Sequence, residues 1–273
     1  MHAASRASYA AAQEQLDALA AGATGEQLST VAEELFAVAR LLADQVRLRR
    51  ALADPARSGD VRAALLHGLI EGQVGEQTRQ LLDTLVSGRW SAPSELLDGC
   101  EELGVQALLA SAERDGTLAE VEDELFRFRQ VVAGDPAFAA AIGDRSVPAE
   151  RRATLVDELL ADRANDVTVR AAKIALRGYG GRSVPGALTR LVEQAAQRQD
   201  RGVAYVTVAT PLTEDGERRL GAALAARYGR DISLKTTVDP RVIGGVRVQV
   251  GADLYDGTIA HRLAQARTAL ASG

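Results

Sequence analysis

The strongest constraint on how this chain folds is that it repeats itself. Residues 33–88 lie on residues 123–178 at a constant offset of 90, without a gap. Glu34-Leu35-Phe36 meets Glu124-Leu125-Phe126, Ala51-Leu52 meets Ala141-Ile142, and Arg62-Ala63 meets Arg152-Ala153. Leu65, Leu66, Leu69 and Ile70 meet Leu155, Val156, Leu159 and Leu160, while Thr78 meets Thr168 and Gly88 meets Gly178. Two alanine- and leucine-rich helical stretches agree at some positions by chance. An ungapped register that includes Phe and Gly positions is better explained by duplication, so a fold for one copy is a fold for both.

Each copy reads as helices. In the first, Leu35, Val38, Leu42 and Val46 trace one helical face, and a second helix is expected from about Asp60, carrying Val61, Leu65 and Leu69. A third runs from about Glu76 to Val86 and stops at Ser87-Gly88-Arg89-Trp90-Ser91-Ala92-Pro93; a fourth, with Leu96, Leu97, Leu103 and Leu108, closes near Asp115-Gly116. In the second copy, Ser146-Val147-Pro148-Ala149-Glu150 is the corresponding helix entry and the stretch Arg177 to Arg182 the corresponding breaker. A single amphipathic helix cannot hide its own apolar stripe, so each copy should be a bundle. The expected division is a first bundle over residues 1–112 and a second over 113–200.

After Arg201-Gly202 the pattern changes. Val203 to Ala209 is β-branched and extended, Thr213 is a helix N-cap candidate with acids behind it, and Leu220, Leu224 and Tyr228 share a face that ends at Gly229. Ile232 to Val238 alternates as a strand, and so do Val246, Val248 and Val250 with Arg247 and Gln249 between them. Gly244-Gly245 precedes that last strand, where glycine marks a bulge or a close backbone approach. Leu254-Tyr255 suits a short return strand, and Asp256-Gly257-Thr258 a turn that caps a final helix bearing Ile259, Leu263, Ala266 and Leu270. The expected fold is therefore mainly α, with two tandem helical bundles followed by a small β-α-β-β-α domain over residues 203–273.

Composition narrows the chemistry. Net charge is −5, with no basic stripe, which argues against a nucleic-acid partner. Lys173 and Lys235 are the only lysines and neither follows a glycine, so no Gly-x-x-x-x-Gly-Lys-Ser/Thr phosphate loop exists. His2, His67 and His261 lack metal-ligand spacing, and Cys100, the single cysteine, sits at helical spacing with Leu96 and Leu103 as a small buried hydrophobe. Trp90 reads as a cap over the bundle. The Arg47-Leu48-Arg49-Arg50 run reads as a solvated helix face, with phosphate or an acidic partner as the lesser option. No apolar run is long enough to span a bilayer and the N-terminus has no signal-peptide core, so a cytoplasmic protein is expected. Asp253, Asp256 and His261 are the one acid/base trio to weigh, and turn and capping roles explain both aspartates. No cofactor is expected.

The stretch from Val238 to Ala266 resembles the C-terminal signature of the F-type ATP synthase delta subunit, the oligomycin sensitivity conferral protein family. That pattern is a strand entering Gly-Gly, a Gly-x-Asp, then Asp-Gly-Ser/Thr opening an Arg-Leu helix, here Gly244, Gly245, Asp253, Asp256, Gly257, Arg262 and Leu263. Tyr9-Ala10-Ala11-Ala12 is similar to the family's Tyr-Ala-x-Ala first helix, and Gly88-Arg89 with Leu96 and Leu97 to its helical-domain pattern. The ordinary member has one helical domain, whereas this chain carries the unit twice, and its arginine- and alanine-rich usage suits a high-GC, actinobacterial-like form. The resemblance implies a non-catalytic stator subunit of the peripheral stalk on the cytoplasmic face of the bacterial plasma membrane, attached to the membrane only through the complex. It implies that the helical part holds the N-terminal helix of an alpha subunit near Tyr9, Ala10 and Ala12, and that the C-terminal domain binds the C-terminal helix of the b subunit. The alternative is a helical-repeat adaptor unrelated to ATP synthesis.

Overall fold

The computed structural model describes residues 1–242, 244–251 and 253–259. The chain divides into two compact units, Met1–Leu191 and Val192–Gly273.

The first unit is helical: α1 (Ala3–Gly22), α2 (Gly25–Asp44), α3 (Val46–Leu52), α4 (Gly59–Ile70), α5 (Glu76–Ser87), α6 (Pro93–Arg114), α7 (Leu118–Gly134), α8 (Pro136–Gly143), α9 (Ala149–Leu160), α10 (Asp166–Leu176), a single 3-10 turn at Tyr179–Gly181, and the start of α11 (Val184–Arg198). Adding 90 to the bounds of α2 through α5 gives α7 through α10 to within three residues, in the same order. The same shift carries α1 onto α6. Thus α6 is both the closing helix of the first copy and the opening helix of the second, and the boundary expected at residue 112 falls inside it.

Local chemistry explains where these helices begin. Thr24 and Gln27 form a reciprocal capping box ahead of α2, Asp135 accepts from the amides of Ala137 and Phe138 ahead of α8, and Asn165 accepts from Val167 ahead of α10. Proline sits in the first turn of α6 and of α8, where its missing N–H has no helical partner to lose.

The interior is leucine, with Leu16, Leu28, Leu35, Leu42, Leu81, Leu85, Leu96 and Leu103 all buried. Helix α6 lies along α2, and Gly104 is the reason it comes so close: a methyl there would lie 2.6 Å from Cε1 of Phe36. A mid-helix glycine costs about 1 kcal/mol against alanine, which this contact offsets.

The two copies also share polar anchors. Arg62 is buried and donates to the carbonyls of Leu52, Ser87 and Gly88; its counterpart Arg152 is buried and donates to Ile142, Val147 and Leu176. Glu34 accepts from Thr78 and from the amide of Gly75, while Glu124 accepts from Thr168 and the amide of Asn165 at the same offset. These groups satisfy carbonyls and amides at helix ends that the helices themselves leave unpaired.

One helix face differs from expectation. The side of α4 that enters the core is Arg62, Leu66 and Ile70, while Val61 and Leu69 are 51% and 45% exposed. Helix α4 is apolar nearly all round, so periodicity does not single out an inner stripe, and the Arg62 anchor decides it.

The second unit contains β1 (Gly202–Val208), α12 (Glu214–Tyr228), β2 (Ile232–Val238), β3 (Val246–Val250) and β4 (Asp253–Asp256) in a sheet of order β2-β1-β3-β4. Strands β1 and β2 are parallel and the other two pairings antiparallel. A parallel neighbour needs a crossover, and α12 supplies it, capped by Thr213 at one end and ended by Gly229 in the left-handed region. Ala204, Val206 and Val208 of β1, Val248 and Val250 of β3 and Leu224 of α12 form the core. The short return strand is present as β4, so the described order is β-α-β-β-β. The expected final helix beyond Ile259, with His261, Arg262 and Leu263, lies outside the described residues.

Candidate functional site

The C-terminal motif folds back on itself. Gly244 and Gly245 both have positive φ, 62° and 81°, a region that side chains with a Cβ rarely occupy. A Cβ on Gly245 would collide with the Gly257 carbonyl oxygen, and one on Gly244 would lie 2.5 Å from Cδ1 of Ile259. The close approach is held by backbone bonds: the Gly257 amide donates to Val246 at 2.9 Å and the Ile259 amide to Gly244 at 3.3 Å. The two halves of the motif, about a dozen residues apart in sequence, are therefore one backbone-to-backbone contact.

Asp256 organises the turn between them. One carboxylate oxygen accepts from the Thr258 hydroxyl at 2.6 Å and its amide at 3.0 Å, and the other accepts from Arg247 at 3.3 Å, directly across the β3–β4 ladder. The Thr258 bonds, led by the hydroxyl, hold this carboxyl below its usual range. Asp253, at the other end of β4, accepts from the Tyr228 hydroxyl at 2.9 Å. Tyr228 also pairs with the Tyr255 hydroxyl, which accepts from Arg227. The two aspartates thus serve different partners, which supports turn and tethering roles over an acid/base pair; His261 lies outside the described residues.

On α1, the candidate head-binding residues do not share one surface. Ala10 is exposed and Tyr9 is half-buried, with its hydroxyl donating to Gln13 at 2.9 Å. Ala12 is wholly buried, so in this fold it permits close packing of α1 inside its own bundle. The first helix is tied down by a carboxylate that sequence reading missed. Glu95 on α6 accepts from the Ser5 hydroxyl at 2.5 Å and from the His2 amide at 2.8 Å, with the His2 ring nitrogen at 2.9 Å. Burial opposes its ionisation, but the bonds from Ser5 and His2 outweigh that and lower its pKa to about 2.

The remaining chemical candidates have structural roles. Cys100 is fully buried, its thiol pushed up by burial and donating to the Leu35 carbonyl. His67 bonds Asp83 at 2.5 Å between α4 and α5. Trp90 donates from Nε1 to the Leu85 carbonyl and packs over Gly99, as a cap should. A groove of about 390 Å³ between α2 and α10 is lined by Phe36, Arg40, Glu101, Lys173 and Ile174, and Arg170 bridges it to Glu33 at 3.8 Å. Among the described residues, no group of three or more His, Cys, Asp and Glu could hold a metal ion, and no helix is long and apolar enough to cross a membrane.

Comparison with known proteins places this geometry in a family. The model of the ATP synthase delta (OSCP) subunit matches residues 8–102 and 105–270, and the short gap falls within the shared helix α6. The ATP synthase subunit delta of Salinispora arenicola is 60% identical over 267 residues, covering 98% of this chain and 97% of its own. Those of Streptomyces avermitilis and Streptomyces coelicolor are 45% and 43% identical, the first covering 99% of both chains and the second 100% of this chain and 99% of its own. The relatives match through both helical copies and the C-terminal unit, so the reading as an unrelated helical-repeat adaptor is set aside. The chain belongs to the ATP synthase delta (OSCP) subunit family.

Proposed function

We infer that this chain is a peripheral-stalk subunit of an F-type ATP synthase that links the catalytic head to the stalk and resists the torque of the rotor. The observation that carries the reading is the near end-to-end match to proteins named ATP synthase subunit delta. The work is mechanical: the subunit must present stiff, preorganised surfaces to two partners and needs no reactive side chain. Its helical unit is assigned to the N-terminal helix of an alpha subunit, with Tyr9 and Ala10 at the surface of α1 as the contact, in a helix-in-groove mode. The C-terminal unit is assigned to the C-terminal helix of the b subunit, with the Gly245–Gly257 contact setting its shape. The protein is peripheral, on the cytoplasmic face of the membrane, through the complex alone.

Binding of the full-length protein to purified head and to purified b subunit tests this assignment. Gly245→Val places a side chain against a backbone carbonyl at positive φ, a cost of about 1–3 kcal/mol, and is expected to weaken b-subunit binding while sparing the head. Tyr9→Ala is expected to do the reverse. The opposite pattern would invert the division of labour, and a saturable MgATP site in calorimetry would contradict the non-catalytic reading.

A further inference from the structure

The duplication supplies an internal control for surface composition, because two copies with the same fold should need the same kind of exposed residues. They do not have them. On α4, Val61, Ala64, Leu65, Gly68 and Leu69 form a continuous arc of about 140° by helical geometry, and all are exposed or half-buried. At the same positions of α9 stand Arg151, Thr154, Leu155, Glu158 and Leu159. Leucine recurs at two of these positions, so the copies differ at Val61, Ala64 and Gly68, and the bundle does not require an apolar or small residue at those three.

The neighbouring short helix differs in the opposite sense, toward positive charge. Helix α3 packs beside α4 and carries exposed Arg47 and Arg50, where α8 has Ala137 and Ala140. Leaving aside the buried Arg62 and Arg152, residues 45–71 hold four arginines against three acids, and residues 135–161 two arginines against five acids. An apolar strip about two helical turns long, beside a basic helix, matches an amphipathic helix with an acidic flank better than a broad lipid surface.

We propose that the α3–α4 face of the first copy docks an acidic amphipathic helix from another subunit of the complex. This rests on the peripheral-stalk reading and adds a contact surface separate from Tyr9 and from the C-terminal motif. Arg47 and Arg50 steer and orient the incoming helix, and Val61, Leu65 and Leu69 bury its apolar side.

The test uses full-length protein with Val61→Glu plus Leu69→Glu, both at exposed sites, and separately Arg47→Glu plus Arg50→Glu. Arg151→Glu plus Thr154→Glu on the second copy is the control. Circular dichroism and urea melts establish that each variant is folded, and binding to purified head and to purified b subunit is titrated at low and high salt. The α4 pair is expected to lose about tenfold or more in affinity for one partner. The arginine pair should lose affinity at low salt only, and the control pair should bind normally. If the unmodified chain binds neither partner, the peripheral-stalk reading and this proposal fall together. If it binds both and the α4 variant binds them equally well, only this proposal falls. It falls also if the α4 variant instead abolishes self-association or adhesion to phosphatidylglycerol vesicles while both subunit affinities stay unchanged.

Discussion

The two helical copies hold the same anchors in their interiors and opposite charges on their flanks. The buried Arg62 and Arg152 remain arginine, and the half-buried Glu34 and Glu124 remain glutamate, because each meets fixed backbone carbonyls or amides. The half-exposed pair between α4 and α5, and between α9 and α10 in the second copy, is reversed. His67 meets Asp83 in the first copy, and at the same two positions Asp157 meets Lys173 at 2.6 Å in the second. A side chain that meets fixed backbone atoms is held by geometry, so identity is retained; where two partly exposed side chains meet each other, a hydrogen bond or an ion pair serves, so identity drifts.

The largest expected effect tests the equivalence of the anchors. Arg62→Ala and Arg152→Ala should each destabilise the helical unit by about 2–4 kcal/mol, since each leaves several buried carbonyls without donors. Urea unfolding followed by circular dichroism measures both. Losses differing severalfold would show that the copies are alike in shape and unequal in stability.

A smaller effect concerns a tie that only one copy has. Glu95 secures α1 to α6, and the position 90 residues beyond it is Pro185, which cannot make this bond. Because the Glu95 carboxyl is lowered from 4.5 to about 2 in the fold, the stability it contributes is complete above about pH 5 and fades as the pH falls through 4.5 toward 2. Wild-type protein should lose about 2–3 kcal/mol over that window, and Glu95→Gln should flatten that part of the profile. An unchanged acid limb in the variant would remove Glu95 from the account.

The smallest effect concerns the reversed pair. Asp157→Lys should cost about 0.5–1 kcal/mol through repulsion with Lys173, and adding Lys173→Asp should restore stability, because both sites are partly solvated. Failure of the double variant to recover in a thermal melt would mean that the pair is held by more than charge sign.

Much of this architecture was legible because it is local. The offset of 90, the helical periods, the Thr213 cap and the alternating valines of β3 are patterns within a few residues or at a fixed spacing. The glycine pair before β3 was readable as a close approach, since left-handed geometry restricts the residue to glycine, but the sequence did not name Gly257 as the backbone approached. Ala12 was grouped with Tyr9 and Ala10 as partner-binding by motif similarity alone, and packing places it inside its own bundle.

By itself, then, the sequence determined the duplication, the main helices and strands and the family, all carried by spacing and local propensity. Only the tertiary structure decided that α6 serves both copies, that Arg62 and not Val61 faces inward on α4, and that Glu95 ties down the first helix. Those outcomes depend on which distant carbonyl, hydroxyl or ring lies across the gap. A helix apolar on every side, or a carboxylate with several possible donors, carries no local mark of that choice.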